Sequence, residues 1–128
     1  MASLTEKQAK LLLDTNLAVV ATVRPDGTPQ VTPTWVDWDG EHVLINTAEG
    51  RRKPDYLRRD PRVSVFVLDR NDPYNWVSIT GTAELTDKGA EEHIHKLSRK
   101  YTGEDYDLPE DQRRVLVKIT PERVNSPG

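Results

Sequence analysis

The sequence contains no cysteine, only one phenylalanine and one methionine, and no long apolar run in its 128 residues. The lack of cysteine excludes disulfide bonds, thiolate metal sites, iron–sulfur clusters and thiol nucleophiles. Apolar runs such as Leu17–Ala21 have the length of a strand, so no membrane-spanning helix is expected. A chain of this size folds without a metal or a disulfide, and we expect a single domain over residues 1–128.

The first seven residues lack the basic and apolar regions of an export signal, so a cytoplasmic location is expected. The net charge is −3, but it is unevenly distributed. Positions 51–62 contain six bases and two acids, a balance of +4, whereas the remainder of the chain carries −7. Nucleic-acid binding through this segment is the weakest functional hypothesis, because most of the surface is acidic.

Turn and capping signals predict six strands and three helices. Ser3-Leu4-Thr5-Glu6 predicts a capping box before the first helix, and Arg24-Pro25-Asp26-Gly27 predicts a hairpin turn. The predicted helices run through Leu11-Leu12-Leu13, from Pro54 to about Arg59, and from Thr86 or Asp87 to about Tyr101, with Gly103 ending the last one. The predicted strands are Leu17–Val23, Gln30–Trp38 and His42–Thr47, which form an antiparallel meander, followed by Arg62–Asp69, Trp76–Thr86 and Arg113–Thr120.

This order of elements predicts an α+β fold with a six-stranded antiparallel sheet and flanking helices. The strand Arg62–Asp69 carries apolar residues on both faces, so both of its faces need cover. A sheet curled into a barrel covers one face, and a subunit partner is a candidate for the other.

Familiar catalytic motifs are absent from the sequence, including the nucleophile elbow, the zinc-protease helix, the P-loop and the dinucleotide-binding glycine pattern. His93 and His95 lie about 200° apart around a predicted helix, so they cannot bind one metal ion, and we expect both to be exposed. The acids of Glu104–Asp111 fall in a predicted solvated loop. We therefore predict no metal site and no catalytic side chain.

The strongest functional signal is a run of three bases, Arg51-Arg52-Lys53, which we call the basic cluster. Asn46 and Thr47 end a predicted strand before it, Gly50 allows close approach of the backbone, and a helix N-terminus follows. Hydroxyl, guanidinium, ammonium and helix-end donors thus converge within about one turn, which is typical of a phosphate site. Three tryptophans are either packing residues or the wall of a site for a planar ligand; they are Trp35, Trp38 and Trp76.

Several segments, taken in order, resemble the pyridoxamine 5′-phosphate oxidase-like superfamily, and more narrowly its branch that uses the deazaflavin coenzyme F-420. They are Pro25-Asp26-Gly27-Thr28-Pro29-Gln30, Val31-Thr32-Pro33-Thr34-Trp35, Ile45-Asn46-Thr47-Ala48-Glu49-Gly50-Arg51-Arg52-Lys53, Leu57-Arg58-Arg59-Asp60-Pro61-Arg62-Val63 and Ile119-Thr120-Pro121-Glu122-Arg123-Val124. The resemblance covers nearly the whole chain. It implies a split β-barrel homodimer with cofactor sites at the subunit interface.

The resemblance also implies which residues bind the coenzyme. Arg51 and Lys53 match the family's phosphate ligands, and their neighbours are Asn46, Thr47 and Arg52. The strand along the coenzyme ring corresponds to Gln30, Val31, Thr32, Pro33 and Thr34. Trp76 is expected to approach the ring from the partner subunit, and Arg58 and Arg59 are either attractors of an anionic coenzyme tail or solvated surface residues.

The activity implied is an F-420-dependent reduction of a small-molecule substrate by hydride transfer. The alternative cofactor is flavin mononucleotide (FMN), whose ribityl phosphate suits the same basic cluster, in an oxidoreductase of the pyridoxamine 5′-phosphate oxidase type. True pyridoxamine-phosphate oxidase activity is less expected, because the family's oxidases use a longer C-terminal segment with Arg and His. A non-catalytic protein that only carries the coenzyme is the alternative from another functional class.

Overall fold

The computed structural model describes residues 2–127 and contains three helices and seven strands. The helices are α1 (Glu6–Leu13), α2 (Arg52–Arg59) and α3 (Ala90–Thr102). The strands are β1 (Ala18–Val23), β2 (Pro29–Thr34), β3 (Asp37–Trp38), β4 (Val43–Ala48), β5 (Arg62–Leu68), β6 (Trp76–Thr86) and β7 (Arg114–Asn125). None of these helices is long and apolar enough to cross a membrane.

All seven strands belong to one antiparallel sheet with the order β2-β1-β5-β6-β7-β4-β3. Strands β2 and β3 lie at opposite edges of this sheet, yet only Trp35 and Val36 separate them in the chain. Three Cα–Cα steps span at most roughly 11 Å. The sheet must therefore curl until its two edges approach each other, which gives an α+β half-barrel consistent with the predicted split barrel.

The strand count and the placement of the third predicted strand differ from the prediction. The segment Gln30–Trp38 was expected to be one strand, but the chain leaves the sheet edge at Thr34 and enters the opposite edge at Asp37. Seven strands result instead of six. The predicted hairpin is confirmed by the pairing of β1 with β2, but the predicted three-stranded meander is not formed, because β2 pairs only with β1 and β4 pairs with β3 and β7. The bounds of β6 agree with the prediction, whereas β7 continues to Asn125.

The helix N-termini also lie at other residues than predicted. The capping box of α1 uses Thr5 and Gln8, with a 3.2 Å bond from the Gln8 N–H to Thr5 Oγ1 and a 2.8 Å bond from the Thr5 N–H to Gln8 Oε1. Helix α2 begins before its proline and α3 begins after Gly89. Gly103 ends α3 in the left-handed region as expected, with φ of +84°.

The main core fills the concave side of the curled sheet. Alternate residues of each strand point inward, and α1 and α2 close the core with Leu12 and Leu57. Strands β6 and β7 cross closely at Gly81, where an added Cβ would lie 2.1 Å from the backbone oxygen of Thr120. A side chain at this position would push the two strands apart at the register shift between them.

The two ends of the sheet differ on their convex side. Helix α3 covers β4 and β7, where Ala90 packs in one cluster with Leu44 and Leu116. No helix of residues 2–127 provides such cover at the other end, where Val31 is 58% exposed. Strand register and alternation place five apolar side chains there, which we call the uncovered face: Val19, Val31, Phe66, Leu68 and Trp76.

Candidate functional site

A cavity of about 280 Å³ lies between the C-terminal end of β2, the start of α2 and the inner side of α3. Its walls combine apolar and aromatic groups with two guanidinium groups, and no acidic residue lines it. The lining residues are Leu17, Pro33, Thr34, Trp35, Asn46, Arg51, Ile94, Leu97, Tyr106 and Arg114. The cavity therefore suits a ligand with a flat apolar part and a negative charge.

A tight turn places the basic cluster beside this cavity. Gly50 adopts φ of +88°, a left-handed conformation that a side chain would strain, and Arg51 follows as the N-cap of α2. No side chain caps this helix, so its first backbone N–H groups keep their partial positive charge. Because α2 begins at Arg52, two bases of the cluster lie in its first turn.

The bases nearest the cavity have no acidic partner. Within residues 2–127, no carboxylate lies within ion-pair distance of Arg51 or Lys53. Burial lowers the pKa of the Lys53 ammonium, and the neighbouring charge of Arg51 lowers it further. Arg52 is exposed and does not line the cavity. The start of α2 is thus a positively charged site suited to a multiply charged anion such as phosphate.

Strand β2 alternates between the two sides of the sheet edge. Three residues of β2 pair with buried residues of β1 and therefore point to the concave side; these pairs are Gln30 with Thr22, Thr32 with Val20, and Thr34 with Ala18. Val31 and Pro33, which lie between them, point to the convex side. Thr32 Oγ1 is buried and has no hydrogen-bond partner in the described chain. This hydroxyl lies on the core side of β2 and does not line the cavity.

A buried polar network lies under α3, at the back of the cavity. Asn46 Nδ2 donates to the Ala90 carbonyl at 2.9 Å and lies 3.1 Å from His93 Nδ1. Arg114 Nε donates to Asn46 Oδ1 at 2.9 Å, and its Nη1 donates to Gln112 Oε1 at 2.9 Å. Asn46 is thereby fixed by donors and acceptors on both sides, and it links α3 to β7.

Asp37 extends the polar network toward the surface. Its Oδ2 lies 3.4 Å from Lys96 Nζ and 3.8 Å from His93 Nε2. Burial by itself raises the pKa of Asp37, but His93, the Trp38 N–H and Lys96 outweigh this effect and lower the pKa to about 2. The buried carboxylate is therefore charged and compensated. In the described chain, no three His, Asp or Glu side chains form a metal site.

Aromatic rings form one wall of the cavity. Trp35 stacks on Tyr101 with a centroid distance of 5.4 Å and an interplanar angle of 6°, and it meets Tyr106 edge to face at 6.4 Å. Tyr101 is itself held by its hydroxyl, which receives a 3.2 Å hydrogen bond from the Val36 N–H. The indole of Trp35 thus has a fixed orientation. Trp76 does not line the cavity and packs against Phe66 on the uncovered face.

Comparison with known proteins identifies the family. Residues 4–126 match the family model of pyridoxamine 5′-phosphate oxidase. The chain belongs to this family. It is 31% identical to an F-420 reductase of known structure, with a TM-score of 0.86 and coverage of 95% of this chain and 98% of that one.

Other members of the pyridoxamine 5′-phosphate oxidase family and related folds are more distant. A putative pyridoxamine 5′-phosphate oxidase from Listeria innocua is 25% identical, with a TM-score of 0.70 and coverage of 91% of both chains. A conserved hypothetical protein from Mycobacterium tuberculosis is 28% identical, with a TM-score of 0.74 and coverage of 94% of this chain and 82% of that one. The half-barrel is therefore shared over nearly the full length of this chain.

The cavity gathers four of the residues predicted from the sequence: Pro33, Thr34, Asn46 and Arg51. Lys53 follows Arg51 by two positions, in the first turn of α2, and does not line the cavity, and Thr47 is buried on the concave side of β4. The residues Gln30 to Thr32 lie further along β2 from the cavity wall.

Sequence reasoning missed the second guanidinium and the aromatic group above it. Arg114 and Tyr106 both line the cavity, with Arg114 Cζ 5.1 Å from the centroid of the Tyr106 ring. The available signal was the position of Arg114 directly before the apolar run Val115-Leu116-Val117, because a charged residue there lies at the start of a buried strand. Tyr106 was assigned to a solvated loop, and only the tertiary structure places it over the cavity.

The prediction that His93 is exposed is wrong. His93 lies three residues after Ala90 and four before Leu97, which puts it on the buried side of α3, and it is only 8% exposed. His95 is partly buried, and its Nδ1 accepts a 3.1 Å bond from the Tyr106 N–H. Both histidines thus have structural contacts, one with β4 and one with the loop that roofs the cavity.

Proposed function

We propose that this chain is a coenzyme F-420-dependent oxidoreductase that transfers a hydride between the bound deazaflavin and a small-molecule acceptor. One observation carries the proposal: Arg51 and Lys53 stand without acidic partners at the uncapped start of α2, beside a cavity with an aromatic wall. The likeness to an F-420 reductase supports deazaflavin as the coenzyme. The family membership supports an oxidoreductase of the flavin or deazaflavin type.

The residues present fit the chemistry of such a coenzyme. Arg51 and Lys53 would hold its phosphate, with Asn46, Thr47 and Arg52 as neighbours. The strand segment Gln30–Thr34 would lie along the ring, where the free backbone groups of this edge strand offer hydrogen bonds to polar ring atoms. Unpaired cations and an open strand edge are features expected of a site whose remaining partners belong to a ligand.

When bound, the deazaflavin supplies the hydride chemistry. The chain contributes binding and orientation, because the start of α2 fixes a charged group and Trp35 is held rigidly by Tyr101. Apolar side chains of Leu17, Ile94 and Leu97 line the cavity and offer a surface to the apolar part of a ligand. No carboxylate lines the cavity, so we assign no side chain as a general acid or base.

The proposal is tested by titrating the purified protein with F-420 and with FMN in parallel, following the fluorescence of each. We expect F-420 to bind more tightly. Tighter binding of FMN would instead assign the alternative flavin-dependent oxidoreductase, and binding of neither would contradict the site. Turnover is tested by adding a quinone such as menadione to protein loaded with reduced F-420. Oxidation of the coenzyme supports an enzyme, whereas binding without oxidation by a panel of quinones and enones favours a carrier.

We also propose that the protein acts as a homodimer through the uncovered face. Val19, Val31 and Leu68 are 38%, 58% and 39% exposed there, beside Phe66 and Trp76. Exposed apolar side chains concentrated on one sheet surface are typical of an interface between subunits. In such a dimer Trp76 would lie at the interface, which is the position required for contact with the coenzyme of the partner subunit.

Sedimentation equilibrium at micromolar concentration tests the dimer. We expect the wild type to have twice the mass of the chain, and Val31→Glu to be monomeric because it places a charge in the interface. Leu13→Glu is the matched control, since Leu13 is 51% exposed at the end of α1, outside the uncovered face. A monomeric wild type, or a Val31→Glu variant that remains dimeric, would contradict the interface.

A further inference from the structure

Arg114 is the one lysine or arginine of residues 2–127 that is buried, and only 4% of it is exposed. It begins β7, directly before the apolar residues that enter the core, and its side chain lines the cavity. Its two hydrogen bonds go to the amide oxygens of Asn46 and Gln112, which are neutral. A guanidinium has five N–H groups, so these bonds use only part of its capacity.

No carboxylate compensates the charge of Arg114 in the described chain. None of residues 2–127 brings a carboxylate within ion-pair distance of it, and the buried acid of the region, Asp37, is compensated by Lys96 at 3.4 Å. Burial lowers the pKa of the Arg114 guanidinium and the charge of Arg51 lowers it too, whereas the contact with Tyr106 acts in the opposite direction. Holding a desolvated cation beside a second one is costly unless an anion lies between them.

The buried Arg114 and the exposed Arg51 share the cavity with apolar side chains. Trp35, Ile94 and Leu97 form one side, and the Tyr106 ring lies over the Arg114 guanidinium with 5.1 Å between Cζ and the ring centroid. A ligand that matches both the apolar walls and the guanidinium groups has a flat apolar body and one anionic end. A carboxylate matches the planar guanidinium fork, which binds it through two parallel hydrogen bonds.

We propose that Arg114, together with Arg51 at the border of the phosphate site, forms a carboxylate subsite that binds a flat, apolar carboxylic acid against Trp35. The carboxylate has two possible sources, an acceptor substrate or an acidic part of the coenzyme. Assigning it to the acceptor rests on the proposed function. Binding of the carboxylate itself does not, because Arg114 is not among the residues assigned to the phosphate.

The first test uses coenzyme-free wild-type protein and isothermal titration calorimetry. The probe is 2-naphthoate, and its neutral counterpart is 2-naphthalenemethanol, which keeps the ring and lacks the charge. We expect the acid to bind about tenfold or more tightly than the alcohol, since charge-assisted hydrogen bonds to two guanidiniums are lost. Equal affinities, or no binding of the acid, would overturn the proposal without involving any variant.

The second test assigns the effect to Arg114. Arg114→Met should lower naphthoate affinity by about tenfold or more, and Arg114→Lys should retain part of it because the charge is kept while the fork is lost. Arg58→Met, which removes an exposed guanidinium away from the cavity, is the matched control and should bind as the wild type does. Thermal unfolding of each variant shows that it is folded. Wild-type affinity in a folded Arg114→Met variant would overturn the assignment.

The third test separates the two sources and keeps this proposal independent of the coenzyme. Naphthoate is titrated into protein saturated with F-420. Simultaneous binding assigns the subsite to a second ligand, and competition assigns it to an anionic group of the coenzyme. Lys53→Ala should lose coenzyme affinity and keep naphthoate binding. If the F-420 titration fails while naphthoate binds through Arg114, the proposed function is wrong and the carboxylate subsite stands.

Discussion

Helix α2 begins with basic side chains that lack acidic partners and ends with one that has such a partner. Arg58 binds Glu49 through both terminal nitrogens at 2.7 Å, and just beyond the helix Arg62 binds Asp60 at 2.7 Å. At the start of the helix, Arg51 and Lys53 have no carboxylate within ion-pair distance in the described chain. One basic segment of the sequence thus contains compensated and uncompensated charges.

The location of the two kinds of base explains the difference. The compensated bases are exposed on the rim of the molecule, where an ion pair contributes little free energy. Arg51 and Lys53 lie in or beside a cavity without acidic residues, and the buried Arg114 belongs with them. Arg52 and Arg59 also lack ion pairs within residues 2–127, but they are exposed and do not line the cavity. An unpaired base therefore marks the candidate site only where it also lies in or beside the cavity.

The largest effect is expected at the start of α2. Lys53→Ala should weaken coenzyme binding by about 1.5–3 kcal/mol, or roughly 10- to 150-fold, because it removes a charge-assisted hydrogen bond to the phosphate. The melting temperature should stay the same or rise, since the variant also removes a desolvated charge that has no partner. Fluorescence titration and thermal unfolding measure the two effects. Wild-type affinity in this variant would show that a base without an acidic partner does not contribute more to coenzyme binding than a base with one.

The sequence alone could not show which bases have an acidic partner, because the fold determines which acids lie close to them. Asp60 is two residues from Arg62, so that pair is local, whereas Glu49 reaches Arg58 only because Gly50 turns the chain before α2. The sequence did indicate the anion site, since Arg51 and Lys53 are adjacent to a glycine and a helix start. Arg114 is 63 positions from Arg51, and only the pairing of β4 with β7 brings the two together.

The same limit applies to the fold. Local signals predicted β6 and the end of α3 at Gly103, because alternation and a left-handed glycine are properties of short segments. The break at Trp35 and Val36 had no such signal. Only the closure of the half-barrel requires the chain to leave one sheet edge there and to enter the other. Sequence therefore predicted the class of the fold, and long-range pairing determined its order.

A compensated acid provides the second prediction. The pKa of Asp37 is about 2 in the folded protein and 3.8 as the ordinary value, so its charged form stabilises the fold by about 2 kcal/mol above pH 4. This contribution is lost as the pH falls through 2. Asp37→Asn should therefore lower the free energy of unfolding by about that amount at pH 7 and by much less near pH 2. Urea unfolding at both pH values measures it, and an equal loss at both would contradict the role of the charge.

The third prediction concerns the pH dependence of coenzyme binding. The pKa of Lys53 is lowered in the free protein, and a bound phosphate would raise it because it supplies the missing opposite charge. Affinity should therefore be highest at neutral pH and fall as the pH rises through the lowered pKa, by at most roughly tenfold per pH unit for one proton. Titrations between pH 7 and pH 10 measure this slope. Lys53→Ala should lack it, and an unchanged slope in that variant would assign the proton to another group.

The smallest effect is expected at the other end of α2. Arg58→Ala removes a bidentate ion pair with Glu49, but both side chains are more than 40% exposed, so the free energy of unfolding should fall by less than about 1 kcal/mol. Coenzyme affinity should remain that of the wild type, because the compensated guanidinium has no free charge to offer a phosphate. Urea unfolding and the fluorescence titration are made on the same preparation. A loss of affinity similar to that of Lys53→Ala would mean that Arg58 exchanges Glu49 for the ligand, and the two ends of α2 would then form one anion site.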